Sequence, residues 1–206
     1  MILRTTRKTK TISVVFIDEV GWGILANKVL QRLSISIEDE TNLPESQSER
    51  LLEELNNYAW NRFLKFLTYR ERSLWECQQY LKELPLHKNI ADKLIALANK
   101  YNYISDDRFA EILVRSMCEY GKSKRQIICK LKEKRIADNL MEKYIQEYYL
   151  DQEQSILVQN TQKALARYSR LPQKAQIEKV KTYLYQKGFS YSDIMNTLIK
   201  LEKNHE

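Results

Sequence analysis

Residues 73–81 have the sequence Ser-Leu-Trp-Glu-Cys-Gln-Gln-Tyr-Leu, and residues 123–131, 50 positions later, have Ser-Lys-Arg-Gln-Ile-Ile-Cys-Lys-Leu. Each segment begins with Ser-x-x-Glu or Ser-x-x-Gln, the capping box in which two side chains satisfy backbone N–H groups of a first helical turn. The final leucines, Leu81 and Leu131, have a counterpart at Leu184, a further 53 residues along the chain. Helix starts and core positions that return with one period predict three tandem helical repeats.

Apolar residues at helical spacing divide each repeat into three helices. In the first repeat the three apolar stripes run through residues 52–67, 74–84 and 90–101. The sequence therefore predicts a mainly α-helical fold, an elongated array of three-helix repeats. Neighbouring repeats are expected to share burial, because a unit of ~50 residues has a thin core. The predicted repeats occupy residues 48–104, 105–150 and 151–206.

The first 47 residues differ from the repeats. Residues 11–17 are β-branched and aromatic, and a second apolar run at 22–25 follows Gly21, so a small β-hairpin is predicted. Residues 26–33 suit a short helix. Between residues 38 and 54, seven acidic side chains stand against Arg50 alone, and Pro44 interrupts the segment. We expect residues 1–47 to form a hairpin, a short helix and an acidic linker.

Composition excludes several classes of protein. The chain has 206 residues, with 34 Lys and Arg against 27 Asp and Glu, and a formal charge of +7. Four Gly and three Pro leave little turn chemistry for a β-sandwich or a glycine-looped nucleotide fold. No apolar run approaches the ~20 residues of a membrane span, and no signal-peptide core is present. The three cysteines lack CxxC spacing, so we expect a reduced, cytoplasmic protein.

The sequence contains no recognisable catalytic set. No GxSxG, P-loop, HExxH or GxGxxG motif occurs. Cys118, Cys129 and His87 lack the spacing that brings metal ligands together. The carboxylates at 38–54 have no partner histidine, and we interpret them as a solvated acidic segment. We expect a binding protein that is not an enzyme and has no catalytic residues, cofactor or metal.

The densest positive charge surrounds the middle helix of the second repeat. Between residues 122 and 135, seven basic side chains stand against Glu133 alone: Lys122, Lys124, Arg125, Lys130, Lys132, Lys134 and Arg135. Such a cluster suits contacts with nucleic-acid phosphates, and the alternative is an ordinary solvated helix face. Arg70 and Arg72 occupy the equivalent turn of the first repeat, and Arg167 and Arg170 lie near it in the third. This recurrence favours a continuous basic strip.

Two tyrosines and one acidic helix start accompany the basic turns. Most tyrosines lie on or beside apolar stripes and are expected to be in the core or half-buried, whereas Tyr69 and Tyr120 flank the basic turns and are candidates for base stacking or a protein contact. Asp106-Asp107-Arg108 opens the second repeat, where carboxylates suit the helix dipole. Arg108 can pair with a carboxylate or face a partner.

Three segments resemble the RecX family, bacterial regulatory proteins of the RecA recombinase. They are residues 67–73 with Tyr80-Leu81, residues 103–110 (Tyr-Ile-Ser-Asp-Asp-Arg-Phe-Ala), and residues 121–127 with Leu131. The resemblance covers about residues 58–150 and extends more weakly through the third repeat. Arg135-Ile136 and Leu84-Pro85-Leu86 depart from the Gly-containing turns that the family has at these places.

The resemblance implies a regulator, mostly an inhibitor, that binds along the groove of a RecA–DNA filament and lowers ATP hydrolysis and strand exchange. The implied roles are DNA repair, homologous recombination and the SOS response, with the RecA filament and the phosphates of single- and double-stranded DNA as partners and a monomeric protein. The alternative is a stand-alone DNA-binding protein of helix-turn-helix type. The expected filament or DNA contacts are Tyr69, Arg70, Arg72, Arg108, Arg115, Lys122, Lys124, Arg125, Lys130 and Lys132.

Overall fold

The structure, a computed structural model, describes residues 1–203, which divide into two compact units. The first unit comprises residues 1–105, and the second comprises the described residues from 106 onward. Residues 204–206, at the end of the predicted third repeat, lie outside the described residues. Helices dominate, and a small antiparallel sheet lies at the N-terminus. The predicted fold class, mainly α with a small N-terminal β segment, is thereby confirmed.

A four-stranded sheet opens the first unit. Its strands are β1 (Ile2–Arg7), β2 (Ile12–Ile17), β3 (Val20–Ala26) and β4 (Glu40–Asn42), in the spatial order β3-β2-β1-β4. The predicted hairpin is the β2–β3 pair. Within it Val15 pairs with Gly23 and Phe16 with Gly21. Trp22 is therefore an extra residue, and it forms a β-bulge that bends the strand.

The sequence did not predict β1 and β4, and it placed an acidic linker where the structure has β4 and the first turns of a helix. On β1 only Leu3 and Thr5 are buried, while the remaining side chains are exposed. The three residues of β4, Glu-Thr-Asn, are all polar. Neither segment has the apolar alternation that marks a strand in sequence. Both become strands by pairing with a neighbour that is already present, because strand formation depends strongly on tertiary context.

Four helices complete the first unit. They are α1 (Asn27–Arg32), α2 (Glu45–Tyr69), α3 (Leu74–Glu83) and α4 (Lys88–Lys100). The 25-residue α2 buries one face, with Leu51, Leu55, Ala59 and Phe63 at most 1% exposed. These side chains belong to a hydrophobic core that the sheet and the helices α2, α3 and α4 share.

The second unit is helical throughout its described part. It contains α5 (Asp106–Glu119), α6 (Lys124–Glu133), α7 (Asp138–Tyr148), a 3-10 turn (Leu150–Gln152), α8 (Glu153–Arg167), α9 (Gln173–Gln186) and α10 (Tyr191–Lys203). All six helices contribute to one core, in which Ile127, Leu157 and Leu184 are at most 1% exposed. The division of residues 48–206 into three repeats stays a prediction. None of the described helices is long and apolar enough to cross a membrane.

Gly23 lies where β3 packs on α2, because a Cβ added there would lie 2.9 Å from Leu55 Cδ2 and 3.6 Å from Leu86 Cδ2. We expect Gly23→Ala to lower the free energy of unfolding by about 1–3 kcal/mol, since the buried Leu55 side chain must shift to make room. Urea denaturation measures this change.

The matched control is Gly21→Ala in the same strand, where the new Cβ would meet only Phe16 ring atoms at 3.8 Å and 3.9 Å. That variant should change the free energy of unfolding by less than about 0.5 kcal/mol. Equal effects of the two substitutions would contradict the packing explanation.

Candidate nucleic-acid interface

Ser123 holds the N-terminus of α6. Its Oγ accepts a hydrogen bond from the Gln126 N–H at 3.3 Å, and Gln126 Oε1 accepts one from the Ser123 N–H at 3.2 Å. These two bonds form the predicted capping box. The Ser123 hydroxyl also donates to the Lys187 carbonyl, 2.6 Å away, at the end of α9. Ser123 is 1% exposed, so a buried serine that is hydrogen-bonded to the end of α9 sets where α6 begins.

The turn after α9 packs against the stem of Arg125. Gly188 has a φ of +93°, and a Cβ there would lie 2.9 Å from Arg125 Cβ and 3.0 Å from Ser123 Oγ. A residue with a side chain is therefore excluded by both backbone conformation and space. Arg125 is exposed overall, although the first carbons of its side chain pack against Gly188. The contact with Gly188 sets the direction in which the Arg125 side chain projects from α6.

The basic residues around α6 separate into two sets. Lys122, Lys124, Arg125 and Lys132 are exposed, and the described chain places no carboxylate within ion-pair distance of them. Glu133, in contrast, pairs with Lys130 Nζ at 2.8 Å and with Lys134 Nζ at 3.6 Å. The hydrogen bond from Lys130 holds the pKa of the Glu133 carboxyl below its ordinary value. We call the first four residues the open basic set; the seventh basic residue, Arg135, is also exposed and forms no ion pair in the described chain.

Lys124, Ile128 and Lys132 recur every four residues along α6 and therefore share one face of the helix. All three line a groove of about 560 Å³ between α6 and α7, together with Met141 and Ile145. The lining combines apolar side chains and two lysines with the carboxylates of Asp138 and Glu142. Ile128 is half-buried and packs against the core of the second unit while it also lines this groove.

In the turn between α2 and α3, Arg70 has a structural partner. Its two terminal nitrogens donate to the two carboxylate oxygens of Glu76, each at 2.9 Å. The Glu76 side chain is 8% exposed, and its hydrogen bonds raise the pKa of the Arg70 guanidinium. Glu76 N–H in turn donates to the Ser73 Oγ, which caps α3. Arg70 is thus tied to the start of α3.

Arg72 lies two residues further on, in a cluster of aromatic rings. Its guanidinium carbon lies 4.1 Å from the centroid of the Phe66 ring and 6.0 Å from that of Tyr69. Phe66 stacks on Tyr80 with ring centroids 4.0 Å apart. Burial, with a further contribution from the charge of Arg70, lowers the pKa of the Arg72 guanidinium. Tyr69 is 84% exposed, so the cluster ends in an open aromatic face.

The remaining predicted residues, Arg108 and Arg115, lie on α5. Arg108 is half-buried in the first turn of the helix. The exposed Arg115 lies 3.6 Å from a Glu111 carboxylate oxygen and 5.6 Å from the centroid of the Tyr148 ring. The ten predicted contact residues therefore lie in three groups: around α6, in the α2–α3 turn, and on α5.

Neither a metal set nor a disulfide occurs in the part of the chain that the structure describes. No group of three or more His, Cys, Asp and Glu side chains there could hold a metal ion. Cys77 and Cys118 are buried free thiols, and Cys129 is an exposed one. Burial raises the pKa of the Cys118 thiol, which makes it a poor nucleophile. The chemistry available at these surfaces is that of cations and aromatic rings.

Comparison with protein families gives two matches in the second half of the chain. The model of the second three-helix domain of RecX matches residues 105–145, and that of the third three-helix domain matches residues 151–198. A protein of Streptococcus uberis named regulatory protein RecX is 31% identical over 156 residues, 73% of this chain and 58% of that protein. The protein of the same name from Streptococcus mutans is 25% identical over the whole chain and 80% of its own length.

Two solved structures have a similar fold. A crystal structure of regulatory protein RecX superimposes with a TM-score of 0.63 at 21% identity, over 93% of this chain and 96% of that one. RecX from Lactobacillus salivarius gives a TM-score of 0.61 at 28% identity, over 71% of this chain and 96% of that one. The chain spans little more than half the length of the Streptococcus uberis relative.

We expect Arg70→Ala to lower the free energy of unfolding by about 1–3 kcal/mol, because it leaves the buried Glu76 carboxylate without its bidentate partner. Chemical denaturation measures this loss. Arg72→Ala is the matched control: its guanidinium is half-buried over the Phe66 ring, and the variant should lose about 1 kcal/mol, between the values for an exposed and a desolvated cation–π contact. If Arg72→Ala proves the more destabilising change, Arg70 does not have the structural role described above.

Ser123→Ala removes both the cap of α6 and the hydrogen bond to the Lys187 carbonyl. We expect a loss of about 2–3 kcal/mol, the sum of a cap and one buried hydrogen bond. Ser190→Ala is the comparison, because Ser190 Oγ accepts from the Asp193 N–H at 3.1 Å in an exposed cap; it should lose about 1 kcal/mol. Thermal unfolding followed by circular dichroism compares the two variants. Equal losses would mean that the Ser123–Lys187 bond adds nothing to stability.

Proposed function

The chain belongs to the RecX family of regulatory proteins, and we propose that it binds the RecA–DNA filament and lowers ATP hydrolysis and strand exchange. In this proposal it acts as a monomer in the cytoplasm, by binding and without chemistry of its own. Its contribution to homologous recombination, DNA repair and the SOS response is to limit the activity of the filament.

The observation that carries the proposal is the open basic set around α6. These four exposed cations form no ion pair within the described chain and are therefore available to an external anion. Nucleic-acid phosphates are the polyanion of such a filament, and each phosphate neutralised by Lys or Arg releases counterions and adds to affinity. Phosphate contacts carry no sequence information, as a regulator acting on DNA of any sequence requires.

The groove beside α6 supports a contact with protein as well. Lys124 and Lys132 are sufficient to contact a nucleic-acid phosphate. Ile128 lies between them and adds apolar surface, which a phosphate contact does not require. An apolar floor with a charged rim is the usual composition of a protein–protein contact. We therefore propose that this groove contacts RecA and DNA phosphates together.

The other predicted contacts differ in what binding would require of them. Arg115 and Lys130 each face a carboxylate, Glu111 at 3.6 Å and Glu133 at 2.8 Å. Each would have to exchange that partner for a phosphate, so we propose that they contribute less than the open basic set. Arg108 remains a proposed contact on α5. Arg70 serves as a positioning residue for the α2–α3 turn, in which Tyr69 and Arg72 make the contact.

The alternative, a helix-turn-helix DNA-binding protein, has less support. Reading a base edge needs a free amide or guanidinium near the start of the recognition helix. On α6 the amide at that position belongs to Gln126, whose Oε1 already accepts the Ser123 N–H. Reading a base edge with Gln126 would therefore cost α6 part of its cap, which leaves Arg125 as the exposed side chain for that role in the first turn of the helix.

The function is tested by ATP hydrolysis of RecA on single-stranded DNA, with the protein titrated into preformed filaments. We expect inhibition at amounts below one molecule per RecA protomer. No inhibition at saturating amounts of a folded protein would overturn the proposal. Strong preference among duplex sequences in a parallel binding assay would instead favour the helix-turn-helix alternative.

The triple variant Lys124→Glu, Arg125→Glu, Lys132→Glu tests the surface. We expect it to weaken binding to single-stranded DNA by more than about tenfold and to reduce the slope of log affinity against log salt by about 2, the value for three lost phosphate contacts. Inhibition of ATP hydrolysis should fall in parallel. Fluorescence anisotropy at several salt concentrations measures the slope.

The matched control carries the same charge change at Lys174, Lys179 and Lys200, three exposed lysines on α9 and α10. It should keep most of its affinity and its inhibition. If the two triple variants lose affinity equally, the effect comes from net charge, and the open basic set is not the interface.

A further inference from the structure

The two most exposed large apolar side chains of the described residues are both tyrosines in turns before a capped helix. Tyr69 is 84% exposed at the end of α2, and Tyr120 is 78% exposed after α5. Each is followed by a basic residue and then by the buried serine that caps the next helix, Arg72-Ser73 in one turn and Lys122-Ser123 in the other. An aromatic ring exposed to this extent contributes little to folding, so its surface is available to a partner.

The ring of Tyr69 stands beside a supported cation. Arg72 lies 6.0 Å from the Tyr69 centroid and 4.1 Å from that of Phe66, and its Nε donates to the Phe66 carbonyl at 3.4 Å. Phe66 is backed by Tyr80, with ring planes 5° apart. These contacts hold the guanidinium next to the open ring. Because Arg70 is engaged by Glu76, Arg72 is the cation of this turn that can meet a ligand.

The turn after α5 also places an exposed tyrosine near a basic residue, but its backbone conformation is different. Gly121 has a φ of +65°, and the N–H groups of Gly121 and Lys122 donate to the carbonyls of Cys118 and Met117 at 2.8 Å and 2.9 Å. This closure ends α5 and leaves Tyr120 exposed. Lys122 follows it as a cation of the open basic set. Both turns therefore place one exposed ring near one cation that forms no ion pair in the described chain.

We propose that Tyr69 and Tyr120 each stack on an unpaired base of a single-stranded nucleic acid, while Arg72 and Lys122 contact the adjacent phosphates. The inference rests on the proposed function and deepens it, since it names the single-stranded form as the ligand of these turns. Bases within a duplex already stack on each other, so a lone exposed ring finds a free π-face only on an unpaired base. Stacking tolerates every base because each has such a face. The neighbouring cation favours a polyanion over an apolar protein surface as the occupant.

Binding of the full chain to a fluorescein-labelled oligothymidylate, followed by anisotropy and without RecA, tests the inference. We expect Tyr69→Ala and Tyr120→Ala each to raise the Kd about tenfold, equivalent to about 1.4 kcal/mol, within the range for one stacked base. Tyr69→Phe and Tyr120→Phe should stay within about twofold of the unmodified chain. The salt slope should not change, because the ring carries no charge.

Two controls make the readout specific for stacking. Tyr191→Ala removes a tyrosine that is 56% exposed outside both turns and should leave the Kd unchanged. An oligonucleotide of equal length with abasic sites throughout should bind the Tyr69→Ala variant and the unmodified chain equally. Unchanged melting temperatures of the variants exclude a folding defect.

Three results would overturn the inference: tyrosine variants that bind oligothymidylate like the unmodified chain, an equal loss on the abasic strand, or an unmodified chain that does not bind the strand. A loss seen only on RecA filaments would assign the rings to a protein contact. The proposed function is judged separately by RecA ATP hydrolysis. If the tyrosine variants bind oligothymidylate normally and still inhibit RecA ATP hydrolysis, only the stacking role is wrong. If binding depends on the tyrosines but the unmodified chain does not inhibit ATP hydrolysis, only the RecA proposal is wrong.

Discussion

The hydrogen bond from the Ser123 hydroxyl to the Lys187 carbonyl determines how the second unit presents its charge. It is short, at 2.6 Å, it is made by a buried serine, and it joins two residues that are 64 positions apart in the sequence. Because the same oxygen caps α6, the start of that helix cannot move without breaking a contact to α9. Gly188 then lies against the stem of Arg125. The exposed cations of α6 therefore project from a backbone that is held in place. A preorganised surface loses less conformational entropy when it binds a partner.

Basic residues that are close in sequence have different roles in this protein. The role of each depends on whether a carboxylate lies close enough to pair with it. Arg70 and Arg72 are two residues apart, yet Arg70 closes a bidentate pair with the buried Glu76 while Arg72 lies over an aromatic ring. Lys130 forms an ion pair with Glu133, whereas Lys132 forms none in the described chain. A cation already paired must give up that partner before it can bind a phosphate, whereas an unpaired one loses only its hydration. The number of basic residues in a segment therefore overstates its capacity to bind a polyanion.

The N-terminal sheet is stabilised by its contacts with the helices of the first unit. A two-stranded hairpin is marginally stable in isolation. Here β3 packs on α2 at Gly23, and the bulged Trp22 stacks on His87 with ring centroids 4.2 Å apart. The Trp22 carbonyl accepts the His87 N–H at 3.1 Å, which satisfies a backbone group on the edge of the sheet. Sheet and helices thus form one core, although the sequence suggested a separate hairpin followed by an acidic linker.

The mainly helical fold, the serine caps of α3 and α6 and the concentration of cations near residue 125 could be predicted from the amino-acid sequence, because capping and amphipathic periodicity act within a few residues. Only the tertiary structure decided that β1 and β4 are strands, that Arg70 is engaged by Glu76, and that Lys124 and Lys132 flank Ile128 in a groove. Those outcomes depend on which backbone edges, carboxylates and apolar faces meet after folding. These contacts either join residues that are distant in the chain or involve only one of two neighbouring residues with the same charge. Composition and spacing do not show which contact forms.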